Sequence, residues 1–203
     1  ITLVDTEKFY VEKINILGNE FTLEEVIRNS FIVDEGDGYN EILFNRSINN
    51  IKSKNIFASV DTEVIVGSSE SQKIINLTVV EKPTGEISLG AGFGSSGGTI
   101  GAGIKENNFL GKGIKLNTDL SISADTIKGK FVYEKPNFNY SDNSLLLSAT
   151  SSANDQTSTS GYKSSEYGFS VGTAFEQYEN FYITPRLSTL FESLTTTSTA
   201  SKN

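Results

Sequence analysis

The hydrophobic pattern changes its period at residues 82–85 (Lys-Pro-Thr-Gly), and this change constrains the fold more than any other feature. Before it, stretches with helical spacing are mixed with short alternating stretches. After it, apolar and polar residues alternate with a period of two through most of the remaining chain. Such alternation is typical of strands with one apolar and one polar face. We therefore expect a mixed helix and strand module followed by a series of strands.

Composition excludes several classes of function. The 203 residues contain no Cys and no His and carry a net charge of −8. A disulfide framework, a zinc finger and a His-dependent hydrolytic triad are excluded, and the negative charge argues against binding nucleic acid. No run of 18 apolar residues predicts a membrane helix, although a membrane β-strand needs only about ten alternating residues. Because Ile1 is not a natural start, we interpret the chain as an internal fragment.

The first module is predicted to fold in the order β-α-α-β-β. Thr22 and Glu25 have the spacing of a capping box, in which each side chain satisfies a backbone N–H at a helix start. The predicted elements are a strand at 9–17, a helix from Thr22, a helix at about 40–54, and strands at 57–66 and 73–81.

The second module is predicted to contain about seven strands. They lie near 86–93, 99–107, 113–123, 126–134, 144–152, 164–175 and 181–191. Pro185 lies inside the seventh, where it cannot donate to the ladder. A soluble barrel would turn the apolar faces inward and a membrane barrel would turn them outward, and the period alone does not separate the two.

Three observations favour the membrane. Lys128, Lys130 and Glu134 share one face of one strand, which a dry core would not accept. A long polar loop at 154–161 follows the fifth strand, where an outward-facing loop of a membrane barrel belongs. Aromatic residues also cluster near strand ends, as in an interfacial girdle: Tyr133, Phe138, Tyr140, Phe175, Tyr178, Phe181 and Tyr182.

Two further motifs have simpler interpretations. Residues 92–97 match G-x-G-x-x-G, but a strand follows them where a dinucleotide site requires a helix, so we interpret them as a glycine-rich hairpin. Asp34, Glu35 and Asp37 lack the remaining ligands of a calcium loop and are interpreted as turn residues.

The residues of both modules resemble a known family. The runs at 9–19, 25–28, 35–40, 46–48, 56–57 and 80–83 resemble a POTRA domain, and more narrowly the last POTRA domain of the BamA family. Residues 85–94 resemble the first barrel strand of that family, and 108–113 and 134–138 resemble its first two periplasmic turns. The family's sixteen strands and its Arg-Gly-Phe loop motif extend beyond what this chain contains.

The resemblance implies a fold and a domain organisation. The fold is an α+β POTRA domain of order β-α-α-β-β, followed by antiparallel strands of a transmembrane β-barrel that is truncated in this chain. Residues 1–8 would end a preceding POTRA domain or linker, 9–82 would form the POTRA domain, and 83–85 a hinge at Pro83. Residues 86–203 would form about seven N-terminal barrel strands.

The function that the resemblance implies is assembly and insertion of β-barrel proteins into the outer membrane of a Gram-negative bacterium, with the POTRA domain in the periplasm. No enzyme activity, catalytic residue, cofactor or metal is implied. The implied partners are BamD-like accessory lipoproteins, nascent outer-membrane proteins, outer-membrane lipids and periplasmic chaperones, without nucleic acid. The alternatives are a two-partner secretion pore built from POTRA domains and a barrel, and a soluble β-rich binding module.

The resemblance also implies site residues. Arg28 and Glu35 align with positions that contact the accessory lipoprotein, although ordinary solvated charge is the simpler explanation. Glycine weakens strand pairing, so the first barrel strand is interpreted as a weak gate that opens sideways to template incoming strands; close packing or curvature is the alternative explanation of its glycines. The residues assigned to this gate are Gly85, Ile87, Leu89, Gly90, Gly92, Phe93 and Gly94.

Overall fold

The computed structural model describes residues 8–94, 97–178 and 181–197. Its contacts divide the chain into two compact units. The first contains the residues up to Thr84 together with the turn Leu110–Gly113, and the second contains residues 85–109 and those from 114 onward. The predicted segment at 1–8 lies outside the described residues except for Lys8, and so do Ser95 and Ser96 of the glycine-rich hairpin.

The first unit has the predicted order of elements. It consists of β1 (Tyr10–Leu17), α1 (Glu24–Arg28), α2 (Glu41–Ser53), β2 (Phe57–Val66) and β3 (Gln72–Glu81). The three strands form one sheet in the order β1-β3-β2, with β3 parallel to β1 and antiparallel to β2. This confirms the β-α-α-β-β prediction.

The hydrophobic core of the first unit lies between one face of this sheet and the two helices. β3 contributes three fully buried side chains, because alternate residues of a strand point to the same face. Ser47 of α2 is also buried, and its hydroxyl bonds the N–H of Ile32 (2.8 Å) and the carbonyl of Leu43 (2.9 Å). The cluster contains Val11, Ile14, Val26, Ile27, Phe44, Ile48, Ile51, Ile56, Phe57, Ile75, Leu77 and Val79.

The predicted capping box at the start of α1 is wrong. The helix begins at Glu24, its N-cap is Leu23, and no side chain caps it. Thr22 lies before the cap and is 2% exposed, and its backbone N–H donates to Glu81 at the end of β3. A contact over 59 residues has therefore replaced the local one that the spacing predicts.

The second unit is a meander of antiparallel strands. Its members are β4 (Gly85–Gly94), β5 (Gly97–Phe109), β6 (Ile114–Ser123), β7 (Thr126–Lys135), β8 (Ser144–Gln156), β9 (Tyr162–Tyr178), β10 (Phe181–Ile183) and β11 (Arg186–Thr196). Strands β4 to β9 pair in sequence order, and both β10 and β11 pair with β9. Within the described part of the chain, no helix combines the length and apolar content needed to cross a membrane.

Pro185 divides the predicted seventh strand into β10 and β11. Ile183 opposes Phe175 and Arg186 opposes Gly172, so the register is the same on both sides of the break. The carbonyl of Pro185 still accepts from Thr173 (3.1 Å), while the missing N–H interrupts the ladder. The proline therefore removes a hydrogen bond without shifting the alternation of faces.

The sheet of the second unit has two chemically different faces. One cross-strand row runs through Leu89, Ala102, Leu120, Gly129, Ser151, Tyr167 and Phe191, and its neighbours include Ile87, Ile104, Phe131 and Phe169. Many of these apolar side chains are exposed, and Ile114 is the one buried hydrophobic residue among the described residues of this unit. The apolar face is thus open, as the outer face of a membrane barrel would be.

Candidate strand-pairing edge and protein-contact site

Strand β4 forms one end of the described sheet and pairs there with β5 alone. The pairing runs without a bulge from Gly85 opposite Glu106 to Gly94 opposite Gly97. All ten residues of β4 are exposed, with 82% of Leu89 and 95% of Phe93 accessible. Because alternate residues of an edge strand direct their N–H and C=O groups away from the neighbour, β4 has the geometry of a template for another strand.

The glycines of β4 are not required by packing. A Cβ atom built at Gly90, Gly92 or Gly94 would meet nothing within 4 Å, and at Gly85 it would meet only a carboxylate oxygen of Glu106 at 3.1 Å. None of the four has a positive φ. Close packing and backbone conformation therefore do not explain their presence in the described sheet, and weak strand pairing remains as a physical consequence of the missing side chains.

The opposite face of the sheet carries charged side chains. In register, Asp119 faces Lys130, Ser121 faces Lys128, and Ser152 faces Glu166. These residues line a shallow groove together with Leu190. Charges in this arrangement require water, which agrees with a polar lumen and not with a dry core.

Arg28 and Glu35, which the resemblance assigned to one contact, lie side by side in the first unit. Arg28 Nη1 is 3.5 Å from Glu35 Oε1, and the Arg28 guanidinium also contacts Glu24 (2.6 Å). Both side chains bond the backbone of Ile14 in β1. Arg28 donates to the Ile14 carbonyl (3.0 Å), and Glu35 accepts from the Ile14 N–H (2.9 Å). Their side chains remain 41% and 44% exposed, so the pair has a structural role and a surface that a partner can reach.

Glu81 is a positioning residue that sequence reasoning missed. Its carboxylate accepts from the N–H groups of Phe21 (2.9 Å) and Thr22 (2.6 Å) and so holds the loop before α1. Burial alone raises the pKa of Glu81, but hydrogen bonds from the Thr22 side chain and from the backbone of residues 20–22 outweigh burial and lower it. The only sequence signal for this role is that Glu81 lies in the run at 80–83, which resembles the family.

We expect Glu81→Gln to destabilise the first unit by about 1–2 kcal/mol at neutral pH, because charged acceptors make stronger hydrogen bonds than neutral ones. Since folding lowers the pKa of Glu81 below its ordinary 4.5, the contribution is present above that value and is lost as the pH falls through the folded pKa. Urea unfolding followed between pH 3 and 7 measures both effects. Glu70→Gln in the exposed β2–β3 turn is the matched control, and an equal loss in both variants would contradict the assignment.

The predicted hinge at Pro83 lies in the three-residue connection between β3 and β4. Lys82 is bonded to the first unit through its N–H to the carbonyl of Ile56 (3.3 Å) and its ammonium to Asn55 (2.6 Å). Pro83 and Thr84 are the other two residues of this connection, and the fixed φ of proline limits the backbone conformations that they can adopt. The role of Pro83 as a hinge stays a prediction.

Comparison with known proteins first defines the class. Residues 9–82 match the POTRA family described as "Surface antigen variable number repeat", and residues 108–203 match the Omp85 superfamily domain. The chain is thus a POTRA domain followed by strands of an Omp85-type barrel, as predicted.

The individual relatives show which proteins of this POTRA and barrel class the chain resembles. The chain is 27% identical over 170 residues to the outer membrane protein assembly factor BamA of Neisseria meningitidis serogroup B, covering 81% of the chain and 21% of that protein. It superposes on the crystal structure of BamA from Haemophilus ducreyi lacking POTRA domains 1–3 with a TM-score of 0.76 and 26% identity, over 92% of the chain and 36% of that structure. CdiB from Escherichia coli shares the fold at a TM-score of 0.67 and 14% identity, over 93% of the chain and 38% of that structure.

The chain is therefore similar to BamA proteins in both of its units. It spans about a fifth of the length of the Neisseria relative.

Proposed function

We propose that this chain is part of an outer-membrane protein that assembles and inserts β-barrel proteins into the outer membrane, with its first unit in the periplasm. The Neisseria relative is named an outer membrane protein assembly factor, which supports the process. The observation that carries the mechanism is β4, an exposed edge strand with four glycines, three of which have open space where a side chain would be.

The proposed mechanism is templated strand pairing. The outward N–H and C=O groups of β4 bond a strand of the incoming protein, which then pairs with its own next strand. Because the glycines lower the pairing strength of β4, a strand bound there separates at a small cost in free energy. Backbone hydrogen bonds and burial of apolar strand faces in the bilayer drive the process. No nucleotide, cofactor, metal or catalytic residue is required, so we expect no enzyme activity.

Cross-linking tests the proposal directly. The chain has no Cys, so a single Leu89→Cys variant of a cysteine-free full-length protein places one thiol on β4. We expect it to form a disulfide with a cysteine in the terminal strand of a nascent outer-membrane protein during assembly. Ser151→Cys is the matched control, because Ser151 lies in the same cross-strand row but its strand has neighbours on both sides. Equal cross-linking at both positions, or none at Leu89→Cys, would exclude templating by β4.

We further propose that Arg28 and Glu35 contact a BamD-like accessory lipoprotein. Their exposed, fixed charges support this, because a salt bridge that is already ordered loses little entropy when it meets a complementary pair. Incoming outer-membrane proteins, lipids and periplasmic chaperones would be the other partners.

Glu35→Arg is expected to reduce co-purification of the accessory lipoprotein at least tenfold, since it reverses a charge at the contact. Glu35→Gln separates the contact from folding, because its amide oxygen still accepts the N–H of Ile14 while the charge is removed. We expect this control to fold normally and bind with intermediate affinity. Unchanged co-purification by the Glu35→Arg variant would refute the contact.

The alternatives receive less support. The CdiB structure shares the fold at 14% identity, and a likeness at that level shows the fold alone. A soluble binding module would bury its apolar strand faces, whereas Ile87, Leu89 and Ile100 are 76%, 82% and 67% exposed.

A further inference from the structure

Three exposed apolar side chains form a patch in the first unit. Phe21, Leu23 and Leu110 are 60%, 42% and 60% exposed, and we call them the Phe21 patch. The loop at 18–23 and the turn Leu110–Gly113 both belong to the first unit, and the N–H of Leu23 donates to the carbonyl of Gly111 (2.8 Å). The three side chains of the patch therefore come from two segments that lie next to each other in the first unit.

The backbone holds this patch in its exposed position. Glu81 bonds the N–H groups of Phe21 and Thr22, and the side chain of Thr22 is buried between the two exposed ones. Gly111 has a φ of +69°, and a Cβ atom there would lie 2.1 Å from the carbonyl oxygen of Phe21. The glycine thus permits a backbone approach that no other residue allows. Phe21 and Leu23 are presented outward by a fixed loop.

The chemistry of the patch fits the boundary region of a bilayer. An aromatic ring, two leucines and the adjacent Lys112 combine apolar groups with a long cationic side chain that reaches back to water. Glu20 and Glu24 flank the loop and oppose an anionic surface. A zwitterionic phospholipid headgroup layer, with phosphate for Lys112 and ammonium for Glu20, matches these charges, since Glu24 is already paired with Arg28 (2.6 Å).

The strands next to the patch in sequence support a lipid as the occupant. Leu110 directly follows Phe109, the last residue of β5, which is 40% exposed. In an antiparallel meander, the β5–β6, β7–β8 and β9–β10 connections lie at one end of the sheet. That end carries the exposed aromatics Phe138, Tyr178, Phe181 and Tyr182, which have the composition of an interfacial belt. Leu110 therefore directly continues a strand whose end lies on the side of this belt.

We propose that the Phe21 patch inserts shallowly into the headgroup region of the zwitterionic phospholipid leaflet and anchors the first unit to the membrane surface. The inference rests on the proposed function, because it requires the strands of the second unit to span a bilayer. It adds a lipid contact to a unit whose proposed contacts are otherwise with proteins.

The absence of Trp from the chain makes a direct test possible. Phe21→Trp and Leu110→Trp are introduced separately into a tryptophan-free full-length protein and reconstituted in phosphatidylcholine vesicles with brominated acyl chains. We expect each variant to lose about half of its fluorescence when bromine lies near the glycerol and less when it lies deep in the bilayer. Ile42→Trp, on the exposed face of α2, is the matched control and is expected to be unquenched.

Phe131→Trp on the apolar face of β7 tests separately whether the second unit spans the bilayer. If it is quenched while Phe21→Trp and Leu110→Trp emit like Ile42→Trp, the lipid anchor is refuted and the membrane barrel stands. If Phe131→Trp itself is not quenched, the membrane premise fails and the anchor fails with it. Quenching at Phe131, Phe21 and Leu110 but not at Ile42 supports the anchor.

Discussion

A full-length protein carrying Gly90→Thr and Gly92→Thr together is expected to assemble outer-membrane proteins about tenfold more slowly while folding at least as stably as the parent. Both positions have open space and negative φ, so threonine enters without strain. Each replacement of strand glycine gains roughly 0.5–1 kcal/mol in pairing strength, and 1.4 kcal/mol corresponds to a factor of ten. In the proposed mechanism a strand bound to β4 separates before another is accepted, so stronger pairing is expected to slow each round.

The measurement is the rate at which outer-membrane proteins become folded after depletion of the parent protein and expression of the variant. Gly129→Thr provides the matched control, because Gly129 of β7 also has open space but lies inside the sheet between β6 and β8. We expect this control to assemble clients at the parent rate. A double variant that matches the parent rate would show that the glycines of β4 do not control assembly.

Local sequence signals predicted the elements whose ends are determined locally. α2 was expected at about 40–54 and lies at Glu41–Ser53, because the Asn40 side chain accepts from the N–H groups of Ile42 (2.9 Å) and Leu43 (3.2 Å). The alternation that predicted 57–66 as a strand has the same bounds as β2. Both signals lie within a few residues of the feature that they specify.

The failures came from contacts distant in sequence. Thr22 and Glu25 have the right spacing for a capping box, but Glu81 bonds the backbone of Thr22 from 59 residues away. The ion pair of Arg28 and Glu35 spans only seven residues, but Glu35 is positioned by its bond to the N–H of Ile14, 21 residues away on β1. Periodicity and spacing carry no information on such distances.

In the candidate site, too, local sequence predicted some features and the three-dimensional structure was needed for others. Glycine content and alternation identified β4 as unusual, but the sequence left close packing and weak pairing equally open. Open space around Gly90, Gly92 and Gly94 removes close packing within the described sheet as the explanation, and weak pairing at β4 stays a prediction. Pro185 was recognised as a misfit within a strand, yet only the register shows that the two faces continue unchanged beyond it.

Leu77→Ala is expected to destabilise the first unit by about 2–5 kcal/mol, the range for removing a buried leucine side chain from a packed core. Leu77 is fully buried on β3, the central strand, with Ile16 and Thr62 as its partners on either side. Neighbours in a sheet cannot move independently to fill the space, so most of the cavity should persist. For a unit of this size, total stability lies near the lower end of about 5–15 kcal/mol, and the variant should be largely unfolded at 37 °C.

Pulse proteolysis of the whole chain in increasing urea measures the loss of stability. The control is Ile42→Ala, which removes a 73% exposed side chain and is expected to change stability by less than about 0.5 kcal/mol.

The effect of Leu77→Ala should also be confined to the first unit. Arg28, Glu35 and Glu81 all depend on the sheet that Leu77 supports, so the proposed binding of the accessory lipoprotein should fail. The β4–β5 ladder belongs to the second unit and contains none of the core residues around Leu77. Protease resistance of that ladder should therefore survive, and its simultaneous loss would show that the two units fold as one.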